Sequence, residues 1–158
     1  MARIGFGYDS HRYKAGRPLI LGGLRIDHNL GLDGHSDADA VLHALTDAIL
    51  GAIGAGDIGE LFPDTDPGWK GADSSVFVLQ ALKLATERGY RIENCDITII
   101  TEQPKLKTHK GLMRKRLAEI LSVSEQAVSV KAKTNEGMGW VGRGEGLAAM
   151  AVVLLERI

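Results

Sequence analysis

The stretch RIGFGYDSHRY, residues 3–13, is predicted to form a β-strand that carries one half of a metal site. Because side chains alternate from face to face along a strand, Asp9 and His11 should project from the same face. A histidine on a downstream helix, His43, would complete a set of one carboxylate and two imidazoles. Zinc accepts such a set, and with three protein ligands it keeps one coordination position open for substrate or water. The stretch therefore predicts a small metalloenzyme.

The helix that carries His43 is predicted to begin at Ser36, a residue type that caps helix N-termini well. Asp39, His43 and Asp47 are spaced four residues apart and share a polar stripe, so Asp39 or Asp47 is a candidate partner for a histidine ring. A plainer interpretation stays open, in which His43 is an ordinary helix-face histidine bonded to Asp39 and Asp9 is a turn former. The apolar positions form a separate, buried stripe: Val41, Leu45, Ala48, Ile49, Ala52 and Ile53.

Length and composition predict one globular domain, residues 1–158. The chain is 44% hydrophobic and 25% charged, with a net charge of −1, so no global field draws it to nucleic acid or to a membrane. With only three phenylalanines, two tryptophans and three tyrosines, it also has few rings on which bases could stack.

The expected location is the cytoplasm. The first residues lack the basic and apolar segments of a secretory signal, and the single cysteine, Cys95, cannot form an internal disulfide. Cys95 is expected to be a small residue at the edge of the core.

Strands and helices alternate along the sequence. Short apolar runs on either side of Gly22-Gly23 predict a hairpin. Helices are expected at 74–88 and 108–121, and strands at 91–102, 127–134 and 147–155. No Rossmann glycine fingerprint follows the first strand. The order predicts an α/β (α+β) sandwich, in which a single mixed sheet is backed by a layer of helices.

Two segments combine glycines with polar side chains. At 33–39, DGHSDAD, free amides at a helix start could bind phosphate, with His35 as a further donor, or the segment could simply cap the helix. At 134–146, TNEGMGWVGRGEG, Arg143 could grip a phosphate and Glu136 could offer an oxygen to magnesium or manganese, unless the segment is only a mobile loop.

Two further segments differ in composition. Residues 57–72 contain prolines, glycines and four aspartates, and are predicted to be a functional loop. Residues 105–116 carry six basic residues among apolar ones, which is typical of a solvated, amphipathic helix face.

These motifs, in this order, resemble the 2-C-methyl-D-erythritol 2,4-cyclodiphosphate synthase family over nearly the whole chain. The resemblance implies conversion of 4-diphosphocytidyl-2-C-methyl-D-erythritol 2-phosphate to the 2,4-cyclodiphosphate with release of CMP, by intramolecular, metal-assisted phosphoryl transfer in the non-mevalonate isoprenoid pathway. It also implies a homotrimer with active sites between subunits. The motifs that carry it are Gly5, Gly7, Asp9 and His11; residues 34–39 with 43–47; 56–59 with 62–66; Pro104-Lys105; Lys131-Ala132; 134–136; and 142–146.

The resemblance assigns residue roles. Asp9, His11 and His43 would hold Zn²⁺, Glu136 would hold Mg²⁺ or Mn²⁺, and His35 and Thr134 would stabilise the transition state. The cytidine pocket would be Thr101, Glu102, Gln103, Pro104, Lys105, Leu106 and Lys107. The methylerythritol contacts would be Asp57, Gly59, Phe62, Pro63, Asp64, Thr65 and Asp66. Other implied substrate contacts are Asp9, Ser10, His11, His35, Ser36, Ile58, Lys133, Thr134, Asn135, Glu136, Trp140 and Arg143.

Two departures from the family pattern concern the substrate pocket. Glu102 places an acid in the nucleotide segment, and Trp140 replaces a more familiar phenylalanine while keeping an aromatic wall. A different enzyme class, a zinc-dependent phosphoesterase that uses metal-bound hydroxide, also fits the three ligands. A metal-stabilised scaffold that binds nucleotide without turnover is the remaining alternative.

Overall fold

Seven strands, five α-helices and two short 3-10 helices follow one another in the computed structural model, which describes residues 1–158. The strands are β1 (Arg3–Ala15), β2 (Leu19–Leu21), β3 (Leu24–Ile26), β4 (Leu30–Leu32), β5 (Tyr90–Ile100), β6 (Val128–Lys133) and β7 (Gly146–Arg157). The helices are α1 (Ala40–Ala52), α2 (Ile58–Leu61), α3 (Ser75–Glu87), α4 (Lys110–Leu121) and α5 (Gly139–Gly142), with 3-10 turns at Pro67–Trp69 and Glu125–Ala127.

The main sheet has five strands in the order β4-β1-β7-β5-β6. Only β5 and β6 pair in parallel, so the predicted mixed sheet is confirmed. The sheet is not single, however, because β2 and β3 form a separate two-stranded hairpin. Gly22 and Gly23 turn that hairpin with φ angles of +60° and +75°, which glycine adopts without steric cost.

Helix α1 lies directly against strand β1, and two glycines make this approach possible. A Cβ atom on Gly5 would lie 1.7 Å from the carbonyl oxygen of Ala48, and one on Gly7 would lie 1.8 Å from that of Ala44. The helix backbone therefore occupies the space where side chains would otherwise stand. This close contact brings His43, on α1, beside the strand that carries Asp9.

The start of α1 differs from the prediction. The helix begins at Ala40 rather than after Ser36, and its N-cap is Asp39, whose Oδ1 accepts a hydrogen bond from the backbone N–H of Leu42 at 3.0 Å. The same carboxylate accepts from the amides of Gly22 at 2.9 Å and Gly23 at 2.7 Å. Asp39 thus joins the helix to the hairpin, a long-range role that local capping rules cannot show.

Helices cover one face of the sheet and leave the other bare. The core of 34 buried residues lies between the helices and the covered face, and it includes Cys95, as expected. On the bare face, Ile4 is 73% exposed, Phe6 58% and Val152 41%. Phe6 and Val152 are paired across β1 and β7. This set of exposed apolar strand residues is called the open face below.

None of the helices is long and apolar enough to cross a lipid bilayer.

Candidate metal centre and active site

Asp9, His11 and His43 converge as predicted. Oδ2 of Asp9 lies 2.7 Å from Nε2 of His11 and 3.2 Å from Nδ1 of His43, and the two ring nitrogens are 3.4 Å apart. One ligand atom from each residue fits within 4.8 Å of the others. The alternation of side chains along β1 places Asp9 and His11 on one face, and the close packing of α1 on β1 brings His43 beside them.

The three groups are partly buried, and they change one another's protonation. Burial alone would raise the pKa of Asp9, but hydrogen bonds from His11 and His43 hold that pKa below its usual value. Burial alone would lower the pKa of His11, but its hydrogen bond to the Asp9 carboxylate raises that pKa. The cluster therefore concentrates a negative charge between two imidazoles, which is an environment that attracts a cation.

Both rings are held by the nitrogen that faces away from the cluster. Nδ1 of His11 donates to the carbonyl oxygen of Asp33 at 2.7 Å, so Nε2 can offer its lone pair to a cation once it gives up the proton that it donates to Asp9. Nε2 of His43 lies 2.8 Å from Oγ of Ser74 and 3.1 Å from Oγ of Ser36. Such outer hydrogen bonds are typical of metal-binding histidines, so the residues present fit a three-ligand zinc site.

The predicted partners Asp39 and Asp47 are wrong for the His43 ring. The Asp39 carboxylate is fully buried against the hairpin, and burial raises its pKa to about 6. Asp47 Oδ1 accepts from the backbone N–H of Ile58 at 2.8 Å and so fixes the start of α2. Both residues are spaced four positions from His43 as predicted, but the Asp39 carboxylate contacts the hairpin and the Asp47 carboxylate contacts α2.

A cavity of about 430 Å³ opens beside the cluster. Its walls include His11 and His43, and most of the residues predicted to contact the methylerythritol group also line it: Gly59, Phe62, Pro63, Asp64 and Thr65, together with Ile58, His35 and Ser36. Trp69 and Phe77, which the sequence did not single out, add an aromatic wall, with the Phe62 and Phe77 ring centroids 4.7 Å apart.

Asp57 and Asp66 have structural contacts near this cavity. Asp57 Oδ1 accepts from the amide of Glu60 at 2.9 Å and caps α2. The carbonyl oxygen of Asp66 accepts from Nε2 of His35 at 3.0 Å, so this histidine is fastened to the 57–72 loop. The loop is therefore ordered around the cavity rather than separate from it.

The predicted phosphate cradle at 33–39 is not a free helix start. The amide of Asp37 donates to the Ala72 carbonyl, that of Ala38 to Oγ of Ser36, and that of Asp39 to Oδ1 of Asp37. Because these three amides already have partners, they are not available to a phosphate, and phosphate binding by the remaining amides of Gly34, His35 and Ser36 stays a prediction.

A second, separate cavity of about 290 Å³ contains much of the predicted cytidine pocket. It is lined by Thr101, Pro104, Lys105, Leu106 and Lys107, with Lys133 and Thr134 from the end of β6, and also by Lys110 and Ala132. The peptide bond between Gln103 and Pro104 is cis, and the Gln103 carbonyl accepts hydrogen bonds from Tyr13 Oη and Thr101 Oγ1, both at 2.7 Å.

The side chain of Glu102 forms hydrogen bonds to the backbone of the glycine-rich segment 134–146. Its Oε1 accepts from the amide of Asn135 at 2.8 Å and from that of Gly137 at 3.3 Å. The turn between them places Glu136 at a positive φ of +52°, with an exposed side chain that lies outside the Asp9–His11–His43 cluster.

Three further predicted contacts, Ser10, Trp140 and Arg143, line two other pockets. Ser10 and Trp140 line a shallow pocket with His11. Arg143 and Gln103 line another, which also includes Tyr13, and Nε of Arg143 donates to Glu145 Oε2 at 2.8 Å. On a single chain, therefore, the structure divides the predicted residues between separate cavities.

Ser74 is another site residue that the sequence did not reveal, in addition to Trp69 and Phe77. It was part of a predicted helix start, where serine is common, and nothing in its local pattern indicated a contact with His43. Such a contact depends on how α3 packs beside α1, which only the fold determines.

Known proteins are similar to this chain over nearly its whole length. A 2-C-methyl-D-erythritol 2,4-cyclodiphosphate synthase of Synechococcus elongatus is 55% identical over 98% of this chain and 97% of its own length. A solved synthase structure, described as a bound form with CDP, superposes with a TM-score of 0.90 at 43% identity, over 98% of this chain and all of that one (100%).

The comparison also includes longer relatives. A bifunctional enzyme IspD/IspF of Erythrobacter litoralis is 54% identical over 98% of this chain, which spans 40% of that relative's length. The sequence model of the YgbB family matches residues 2–156. This chain therefore belongs to the YgbB family.

Proposed function

We propose that this chain converts 4-diphosphocytidyl-2-C-methyl-D-erythritol 2-phosphate into 2-C-methyl-D-erythritol 2,4-cyclodiphosphate and CMP, within the non-mevalonate isoprenoid pathway. The observation that carries the proposal is the convergence of Asp9, His11 and His43 beside a cavity of about 430 Å³. This site lies in a chain that is similar over nearly its full length to synthases with this activity in their names. The activity is that of a phosphorus–oxygen lyase.

The chemistry is an intramolecular phosphoryl transfer. An oxygen of the 2-phosphate attacks the β-phosphorus of the same molecule's diphosphate, and the bond from that phosphorus to the CMP oxygen breaks. A phosphate monoester has a second pKa of about 6, so the nucleophile is already anionic near neutral pH. No protein base is needed, and the main task of the protein is to fold the substrate and offset its charge.

Asp9, His11 and His43 would hold Zn²⁺, and Glu136 would offer an oxygen to Mg²⁺ or Mn²⁺. When bound, these cations supply positive charge that orients and neutralises phosphate oxygens. His35 and Thr134 are proposed to stabilise charge in the transition state. His35 borders the first cavity and Thr134 the second, so each is positioned on one half of the proposed site.

The two cavities are assigned to the two ends of the substrate. The first would take the methylerythritol portion, with contacts from Asp57 to Gly59 and Phe62 to Asp66. The second would take cytidine, with residues 101–107 around the base. Its four lysines, Lys105, Lys107, Lys110 and Lys133, add positive charge for the phosphates. Ser10, Asn135, Trp140 and Arg143 are proposed as further contacts.

A homotrimer would bring the two halves together, with each active site between adjacent subunits. Two features support it. The predicted substrate residues occupy separate cavities on one chain, and the open face exposes Ile4, Phe6 and Val152, which a neighbouring subunit could cover. We propose the cytoplasm as the location, where the lone thiol of Cys95 would stay reduced.

The test is incubation of the purified protein with the diphosphocytidyl substrate and Mg²⁺, followed by phosphorus NMR. We expect CMP and a cyclic diphosphate in equal amounts. Ordinary hydrolysis products would instead indicate the zinc-dependent phosphoesterase, and binding of zinc and nucleotide without turnover would indicate a scaffold. Either result overturns the proposal.

A further inference from the structure

The ring of His43 is held from behind by two residues that no part of the proposed mechanism uses. Nε2 of His43 lies 2.8 Å from Oγ of Ser74, and that hydroxyl in turn forms a very short hydrogen bond to Oδ1 of Asp37. Ser74 is completely buried, and 13% of the His43 side chain is exposed. The three groups form a continuous chain from a carboxylate to the metal cluster.

The direction of the protons along this chain follows from what each group can do. An ionised carboxylate only accepts, so the single hydroxyl proton of Ser74 goes to Asp37. Oγ of Ser74 then presents a lone pair, which requires His43 to donate its Nε2–H. When a cation occupies the cluster, the ring is left with its lone pair on Nδ1, the nitrogen that lies 3.2 Å from Asp9 Oδ2 and faces His11.

Asp37 is fixed so that it cannot easily release the hydroxyl. Its Oδ2 accepts from the backbone N–H of Ser74 at 3.0 Å, and its Oδ1 also accepts from the N–H of Asp39 at 3.0 Å. The carboxylate therefore holds Ser74 by both its side chain and its backbone. This double attachment gives the hydroxyl one orientation.

Ser36, the other hydroxyl near the ring, cannot set the proton position in the same way. Its Oγ is farther from Nε2, at 3.1 Å, and accepts a long bond of 3.3 Å from the amide of Ala38. No carboxylate holds its hydroxyl proton, which could point toward the ring and favour the opposite tautomer.

We propose that Asp37 and Ser74 are positioning residues, which lock His43 in the tautomer whose Nδ1 lone pair faces the metal site. The inference rests on the zinc site of the proposed function. Its physical basis is that partners behind a metal-binding histidine fix the ring's tautomer and raise its basicity, and that their loss typically weakens metal binding by about 10–100-fold.

The experiment compares zinc affinity, measured by competition with a chromophoric chelator, in the unaltered protein and four variants. Ser74→Ala should weaken zinc binding by about 10–100-fold. Asp37→Asn should weaken it similarly, because an amide can donate to Ser74 and reverse the hydroxyl. The double variant should resemble Ser74→Ala, since Asp37 acts through Ser74. Ser75→Ala, the matched control at the next position of α3, should change nothing.

Zinc affinity within about twofold of the unaltered value in Ser74→Ala would overturn the proposal, since the expected loss is at least tenfold. Multiplied losses in the double variant would also overturn it, because they would mean independent structural roles. Thermal unfolding of each variant shows whether the fold is kept.

A measurement on the unaltered protein decides the matter even if the variants do not fold. With ¹⁵N-labelled histidine, NMR of the zinc-loaded protein should show a proton on Nε2 of His43 and none on Nδ1, with slow exchange of the Nε2 proton. A proton on Nδ1 would refute the inference. Failure of the unaltered protein to bind zinc would instead overturn the metal site of the proposed function.

Discussion

His43 is the one ligand of the cluster that comes from a helix, and its Nδ1 closes the triangle with Asp9 and His11. We expect His43→Ala to lose zinc binding by more than about 100-fold, because removing a ligand costs more than removing the partner of one. Cyclisation should be lost with it. Elemental analysis and CMP release measure the two effects.

Stoichiometric zinc with normal turnover in that variant would remove His43 from the metal site. His109→Ala offers a matched control, since His109 immediately precedes α4 and is not among the residues of the candidate cluster. It should keep both zinc and activity.

Glu136 presents an exposed carboxylate from a turn that Glu102 stabilises. We expect Glu136→Ala to lower kcat by about 100–1,000-fold, the usual loss when one group that offsets transition-state charge is removed. The fold should be unaffected, because the side chain is exposed. Steady-state kinetics and thermal unfolding test the two parts.

The control is Glu87→Ala, an exposed acid at the end of α3. Activity of Glu136→Ala equal to that of this control would exclude Glu136 from the reaction.

At the residue scale, sequence patterns identified the metal ligands but not their supports. Asp9 and His11 are two apart on a strand, so a local rule predicted their common side. Ser74 reaches His43 from 31 positions away, and only the packing of α3 brings them together. Asp39, the predicted partner of the His43 ring, instead accepts hydrogen bonds from amides of the hairpin.

At the scale of elements, the contact between α1 and β1 depends on the missing side chains of two glycines. We expect Gly5→Ala to lower the free energy of unfolding by about 1–3 kcal/mol or more, because its Cβ would lie 1.7 Å from a backbone oxygen that cannot move alone. Urea denaturation measures the change.

Gly51→Ala is the matched control on the facing helix. Its added Cβ would meet no atom closer than 3.9 Å, and alanine in a helix interior is favoured over glycine by about 1 kcal/mol. Equal stability of the two variants would show that the close approach of α1 to β1 is not required.

Strand β5 carries Cys95 into the core, and burial raises the pKa of its thiol to about 12. The thiolate is the reactive form, and at pH 8 only roughly one thiol in ten thousand would be ionised. We therefore expect no reaction with a disulfide reagent in the folded protein at pH 8, and one equivalent after denaturation. Rapid labelling of the native protein would contradict the buried placement.

Hydrophobic periodicity predicted the existence and order of most elements, but their ends moved by a few residues. Helix α1 began four positions after its predicted cap because Asp39 has a long-range role there. The predicted hairpin is correct, yet it forms its own small sheet, since which strands pair depends on contacts that no local pattern contains.

At the scale of the whole molecule, the open face predicts assembly. We expect Phe6→Glu to shift the protein from three chains toward one in sedimentation measurements, because it places a charge within an apolar surface that would be covered. Turnover should fall in parallel if the active sites lie between subunits.

Leu112→Glu is the matched control, since Leu112 is 62% exposed on α4 while Phe6 is 58% exposed. It should leave both mass and turnover unchanged. A trimer that survives Phe6→Glu would place the subunit contact elsewhere.

The whole-molecule level was the hardest to predict from the sequence alone. The resemblance to the cyclodiphosphate synthase family is confirmed, and with it the general plan. The sequence did not predict that the proposed substrate residues would be divided between separate cavities of one chain. That division depends on which ends of β1, β5 and β6 lie side by side in the sheet.

The packing of α1 on β1 has a consequence for the order of folding and metal binding. The contact between α1 and β1 that forms part of the core also places Asp9, His11 and His43 close together, so folding alone assembles the ligands. We therefore expect this chain to fold without the ion, unlike a zinc finger, which is unfolded until the ion binds. A chelator should therefore remove the activity of the enzyme reversibly while the chain stays folded.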